Sequence, residues 1–418
     1  MHCRAAGLSV DSGRVSVISG RMNPTRQEAA DMLGRLVACP SPNPPSGRPC
    51  GPGHGERAMA DLLAAIVQPW GAVTRKVEIA PGRFNFIARF PGGPRSLMLE
   101  AHADTVPAEG MTIPPFEPRV RGGRLYGRGS CDAKAALAAM LLAVRGAIVS
   151  GRRADTTLYL VATGQEECGA AGARRLAADQ GRDRKGAAPQ DLRPDAAIVG
   201  EPTDLDIVYT HKGAYRCRIT ALGRAAHSSD PARGRSAIAA MARIVQALEG
   251  PLARRLARRR HPVLGPATVC VGTIRGGTQA NVVPDRCEIE VDRRTLPGET
   301  AAQVGAEVRR AVLAARTAGR GFRCTIENYE WYPALEEDRR GPLLRLAAAA
   351  ARAVLGRARF KGVPWASNAG IFRQAGIPCI LFGPGSIRQA HAAVEWVDLG
   401  QVVLAARVYA EIIRRFGE

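Results

Sequence analysis

LMLEAHAD, residues 97–104, is an apolar run that ends in a metal-type side chain, His102. Three further stretches repeat the pattern: TLYLVA (157–162) leads to Glu166 and Glu167, AAIV (196–199) to Glu201, and CILF (379–382), after a longer loop, to His391. Short continuous apolar runs with helix-like segments between them mark strands buried on both faces, as an internal sheet requires. Open α/β sheets place ligands beyond the carboxyl ends of their strands, where the loops converge. The predicted fold class is therefore α/β, with these side chains aimed at one crevice.

Outward from that core, helix and strand alternate from Asn23, with helices predicted over about 25–37 and 56–67 and a Pro/Gly-rich loop at 40–55 between them. Between 211 and 332 the character changes. YRCRITALG, ATVCVGTI, CEIEVDRRTL and FRCTIENYEW are strand-like, and helices are predicted at about 236–248 and 301–318, which together make an inserted α+β unit. Helical periodicity resumes at 343–354 and 399–416, so the first domain is expected to be discontinuous, 23–210 with 333–418. Residues 1–22 lack periodicity and Met22 stands just ahead of the first convincing helix. They are expected to be a disordered tail or a mis-chosen start.

At 418 residues and 46% hydrophobic content the chain is too long for one average domain and has ample material for a packed core. No run approaches the roughly 20 apolar residues of a membrane span, and Arg4, Asp11 and Arg14 break up the opening segment where a secretory signal needs an apolar centre. A cytoplasmic location is the default expectation. Ten scattered cysteines with no C-x-x-C pair fit reduced, mostly buried thiols. The net charge of +21 raises a polyanion-binding alternative, but only five of the 59 basic residues are lysine, and the arginines are spread along the chain. The densest run, Arg254, Arg255, Arg258, Arg259 and Arg260, lacks interleaved aromatics for base stacking, and a solvated face is expected there.

Each candidate residue has an ordinary explanation when taken alone. Asp132, between the glycine-rich GRGS and a helix predicted over about 134–148, is placed to be an N-cap. Glu166 and Glu167 form an acidic turn at a helix start, Glu201 a loop acid before Pro202, and His391 a surface histidine. Period two sends His102 and Asp104 to the same side, so the Asp104 carboxylate is expected to take the imidazole's second N–H and orient the ring. The joint occurrence is what changes the reading. Two histidines and three carboxylates (His102, Asp132, Glu167, Glu201 and His391) suit two divalent metal ions, zinc first, with cobalt or manganese feasible. Two such ions about 3.5–4 Å apart, bridged by a carboxylate and a water, can supply hydroxide at neutral pH and polarise a carbonyl.

These motifs resemble the di-zinc amidohydrolase and peptidase family that includes acetylornithine deacetylase, succinyl-diaminopimelate desuccinylase, aminoacylase and bacterial glutamate carboxypeptidases. The resemblance rests on HADTVP (102–107), GRGSCDAK (127–134), ATGQEE (162–167), GEPT (200–203), HKG (211–213), HSSDPARG (227–234), GGTQANVVP (276–284), DRRTLPGE (292–299) and GPGSIRQAHAAVE (383–395). It implies an α/β/α catalytic domain with a central mixed sheet and an inserted dimerisation or lid domain, working as a homodimer. It also implies that His102 and Glu201 hold one metal and Glu167 and His391 the other, with Asp132 bridging them ahead of a cis peptide bond. Glu166 is implied as general base and His227 as an oxyanion-stabilising residue that crosses to the partner's active site. Asn281 and Arg294 are implied at the substrate, Arg294 pairing with its carboxylate.

The implied activity is hydrolysis of the amide bond of an N-acyl amino acid, closest in HSSDPARG and GPGSIRQAH to acetylornithine deacetylase. Desuccinylation, dipeptide or carboxypeptidase cleavage and broad N-acyl amino acid hydrolysis are the alternatives within the family. The chain departs from the common pattern at Gln165, Cys131, Ala135 and Asn368, which bears on specificity more than on chemistry.

Overall fold

The structure, a computed structural model, describes residues 23–43, 55–151, 156–179, 192, 194–317 and 322–417. The expected tail at 1–22, most of the Pro/Gly-rich loop and Ala318, the last residue of one predicted helix, lie outside the described residues. The first helix, Arg26–Val37, begins where the sequence places it. The Thr25 side chain accepts the Glu28 N–H while Glu28 accepts the Thr25 N–H, a reciprocal capping box.

The larger sheet has nine strands and is mixed. Along its length run Val73–Ala80, Arg83–Phe90, Thr156–Thr163, Arg95–His102, Ala196–Val199, Cys379–Leu381, Ile207–His211 and Leu335–Glu336, with Phe360–Val363 paired to Ile207–His211. Arg95–His102 is parallel to both of its neighbours. Its side chains alternate between two apolar clusters: Leu97, Leu99 and Ala101 enter one and Met98 the other. That is the physical meaning of the apolar run, which only the buried Glu100 interrupts, since a strand covered on both faces has no solvent-facing side. The first cluster is closed by helices that include Glu56–Val67, Lys134–Val149 and Leu399–Phe416, the second by Ala171–Asp179 and Asn368–Gln374. The layers are α/β/α.

Between the two runs of this sheet lies a four-stranded antiparallel sheet, ordered Thr268–Gly276, Arg286–Thr295, Gly213–Leu222, Arg323–Tyr332. Tyr215, Cys217, Ile219, Ile289 and Val291 turn one face onto helices Ala237–Ala247 and Ala301–Thr317. The intervening residues Arg216, Arg218, Glu288, Glu290, Asp292 and Arg294 make the other face charged. His211, where the insert is expected to begin, is the last residue of Ile207–His211 and pairs with Leu335 of the larger sheet. The helix predicted to stop near 248 continues through Leu248–Leu252 and Ala253–Ala257, Pro251 included, because Leu248, Leu252 and Leu256 all reach the insert's core.

The eight described cysteines are free thiols, and Cys168 and Cys270 are exposed rather than buried. Most of the arginine run is solvated, but Arg259 pairs with Glu299 at 3.1 Å and with Glu307. No helix among the described residues is long and apolar enough to cross a membrane.

Candidate metal centre

Strand ends and the turns that follow them assemble the site. His102 is the last residue of Arg95–His102 and is buried. Its Nδ1 lies 2.9 Å from the main-chain carbonyl of Asp104 and its Nε2 lies 3.0 Å from Asp132 Oδ1. Carbonyl and carboxylate oxygens only accept, so both ring nitrogens donate in this arrangement; with Nδ1–H held by the carbonyl, Nε2 is the nitrogen that would give up its proton to ligate a cation.

The expected pairing with the Asp104 carboxylate is thereby corrected: that group stays 3.7 Å from Nδ1. It accepts instead the N–H groups of Glu166 and Glu167, each at 3.0 Å, and a hydrogen bond from Asn43. The carboxylate has only a few lone-pair directions, and two adjacent amides of the acidic turn occupy them better than one ring N–H would. Asp104 acts on the Glu pair, and only its main chain orients His102.

That turn explains how neighbouring glutamates serve one site. Gln165 adopts a left-handed conformation (φ 59°), and Glu166–Cys168 forms a single 3-10 turn after it. Glu167 reaches His391, Oε1 to Nε2 at 3.1 Å. The Glu166 carboxylate has no hydrogen-bond partner among the described residues, while its carbonyl accepts from the Tyr332 hydroxyl at 2.6 Å. His391 is itself left-handed (φ 58°), in a loop drawn against Glu201: a Cβ at Gly383 would stand 2.5 Å from the Glu201 carbonyl.

Asp132 is not an N-cap. Ala133 holds that position without a side-chain cap, and the Asp132–Ala133 bond is cis, as the resemblance implies. The freed carboxylate looks both ways, Oδ1 to His102 Nε2 at 3.0 Å and Oδ2 to His391 Nε2 at 3.5 Å. Its backbone N–H donates to Glu395 Oε1 at 3.1 Å, and the same carboxylate takes Cys131 N–H, Gly129 N–H and Arg128 Nη1.

Charge is crowded here. Burial, then neighbouring carboxylates, push Glu166, Glu167 and Glu201 up, despite His102 beside all three. Burial alone would lower His102, but the hydrogen bond and charge of Asp132 and the charges of Glu166 and Asp104 outweigh it and raise it well above its usual value. Four carboxylates against two imidazoles leave an anionic excess that cations would relieve. Ligand atoms of His102, Asp132 and Glu167 all lie within 4.8 Å of one another, a spacing that could hold a metal ion. By donor type and spacing these three residues fit a cation, and Glu201 and His391 line the same cavity as Asp132 and Glu167.

A cavity of about 180 Å³ contains Asp132, Glu166, Glu167, Glu201 and His391, with Arg216, Arg294, Tyr332 and Trp365 on its walls. A larger hollow of about 820 Å³, lined by Arg119, Arg121 and Arg124 among others, holds no histidine, so the chemistry belongs to the smaller one. His227 and Asn281 are exposed and do not line the cavity of their own chain; they sit together on the insert, where Ser228 N–H donates to the Asn281 carbonyl at 3.0 Å. Asn368 is buried beneath the site on Glu100 and Thr163 rather than facing substrate space.

Sequence reasoning assigned no role to Glu395, Tyr332, Asn43 or Arg216. Glu395 stands four residues after His391 inside a quoted motif, Arg216 lies on a recognised strand, and Tyr332 comes one residue after another. Their partners, however, come from distant segments.

The description "Peptidase family M20/M25/M40" fits residues 98–415 of the chain. An acetylornithine deacetylase from Edwardsiella ictaluri is 34% identical over 86% of this chain and 90% of its own length. One from Proteus mirabilis is 32% identical over 92% and 96%. Among solved structures, a dinuclear metal binding peptidase from Bacillus subtilis superposes with a TM-score of 0.66 at 19% identity, covering 93% of this chain and 98% of that one.

Proposed function

The chain belongs to peptidase family M20/M25/M40 and is a metal-dependent N-acyl amino acid hydrolase, and we propose the following roles for its residues. His102 and Glu201 would hold one divalent cation and Glu167 and His391 a second, with Asp132 shared between the two sets. The carrying observation is that the two oxygens of Asp132 face different histidines. Zinc suits the mixed nitrogen and oxygen donors, with cobalt or manganese as alternatives. When bound, the cations supply the charge that acidifies a water and polarises the acyl carbonyl.

The chain's own residues do the rest. Glu166 takes the attacking water's proton on its carboxylate and delivers it to the leaving nitrogen. Asp104 and Tyr332 pin its main chain on either side, which keeps the unbonded carboxylate aimed. A carboxylate raised by burial and like charges is a better proton acceptor near neutrality than an ordinary one. Arg294 has its Nε 2.8 Å from Asp292, which leaves both terminal nitrogens to grip the substrate's α-carboxylate. His227 and Asn281 lie outside their own cavity, which supports a homodimer in which they reach the partner's, His227 steadying the oxyanion.

The test is Glu166→Gln, followed by metal content and turnover. Metal content should match wild type while turnover falls about 10²–10⁴-fold. Near-normal turnover would refute the assignment.

A further inference from the structure

One wall of the cavity is the charged face of the insert's sheet. Arg216 is the register partner of Asp292 on one side and of Glu330 on the other. Its Nε donates to Asp292 Oδ2 at 3.0 Å and its Nη1 to Glu330 Oε2. The second oxygen of Asp292 stands 2.8 Å from Arg294 Nε, so one carboxylate fixes both guanidiniums. Nη2 of Arg216 and the terminal nitrogens of Arg294 carry no hydrogen bond among the described residues, and both side chains line the cavity, 34% and 29% exposed.

A single carboxylate is common to all N-acyl amino acids, and Arg294 suffices for it. Arg216 is then a second guanidinium, already oriented, with donors to spare. The acids lining the cavity are Asp132, Glu166, Glu167 and Glu201, all occupied by the reading above as cation ligands or base. Asp292 and Glu330 are engaged by guanidiniums. An ammonium-bearing substrate side chain would find no unengaged acid here and would leave the Arg216 donors unpaired. The quartet of Arg216, Arg294, Asp292 and Glu330 is neutral overall, so discrimination comes from hydrogen-bond pairing at short range rather than from the field.

Resting on the hydrolase reading, we propose that Arg216 is a specificity-determining residue that binds a second carboxylate, so that the preferred substrates are N-acyl amino acids carrying two carboxylates. The second one is either on the amine side, as in an N-acetylated acidic amino acid, or on the acyl side, as in an N-succinylated neutral one.

The experiment uses the metal-loaded full chain and five probes: N-acetylmethionine, N-acetylornithine, N-acetylaspartate, N-acetylglutamate and N-succinylalanine. At least one dicarboxylate should exceed N-acetylmethionine in kcat/KM by about ten- to a hundredfold, the range expected of a hydrogen bond to a charged group. Which arm wins assigns the side. Arg216→Met should bring that ratio close to one, chiefly through KM, and Arg216→Lys should retain a dicarboxylate preference. The ratio is taken within one preparation, so it does not depend on how much of a variant folds. The wild-type panel and the Lys variant decide the matter if the Met variant cannot be made. A wild-type preference for N-acetylornithine, or an equal loss on every probe in Arg216→Met, overturns the proposal and leaves the hydrolase reading standing. Absence of turnover on all five probes with zinc, cobalt and manganese would instead overturn the hydrolase reading itself.

Discussion

Replacing Glu395 by Gln changes one oxygen for an NH2 group and should loosen the loop that carries Asp132. The Glu395 side chain is 1% exposed and its partner Arg128 4%. Oε2 accepts from Arg128 Nη1 at 2.7 Å and Gly129 N–H at 3.0 Å, and Oε1 from Cys131 N–H at 2.9 Å and Asp132 N–H at 3.1 Å. Whichever way the amide turns, its NH2 meets two donors. Two hydrogen bonds are lost and the Arg128 charge has no counter-charge. Breaking a buried ion pair from one side costs about 3–5 kcal/mol, and the two orphaned donors fall within that figure rather than adding to it. Hydrogen exchange reads the effect locally: amides of residues 127–134 should exchange about two to three and a half orders of magnitude faster, at about 1.4 kcal/mol per tenfold. Metal content should fall in parallel, because the backbone presenting Asp132 is the part released. Exchange within about fivefold of wild type would show that the loop holds itself and that Glu395 is dispensable.

His211 predicts an acid-sensitive contribution to stability. It is fully buried, its Nδ1–H donates to the Lys212 carbonyl at 2.9 Å, and its Nε2 accepts from Ser367 at 3.1 Å, while burial pushes its pKa down to about 4. The unfolded chain takes up its proton near pH 6.5, so this contribution is complete above that pH, is lost as pH falls toward about 4, and amounts to about 3 kcal/mol. In thermal unfolding, His211→Gln should be destabilised at pH 7 yet flatter between pH 7 and 5; an unchanged pH slope would refute the assignment. A chelator should abolish hydrolysis and added zinc restore it, while Asp132→Asn should bind less metal than wild type by elemental measurement. Polyanion affinity that is salt-sensitive and survives chelation, with no hydrolysis at any metal loading, would favour the charge-driven alternative.

The convergence of His102, Asp132, Glu167, Glu201 and His391 was legible in the sequence because most of them follow a local signal, an apolar strand ending or a glycine-rich turn, and such signals depend only on near neighbours along the chain. The α/β alternation and the inserted unit were legible for the same reason. What only the tertiary structure decided is which atoms meet. Asp104 turned its carboxylate to amides 62 and 63 residues away rather than to the histidine two residues away. Glu395 found its donors 263 to 267 residues back. The Arg216, Asp292, Arg294 and Glu330 quartet came together through cross-strand register over 76 and 114 residues. Periodicity says which face a side chain occupies. The partner on that face is chosen by strand order and register, which are set by packing of the whole chain and leave no trace in any local run of residues.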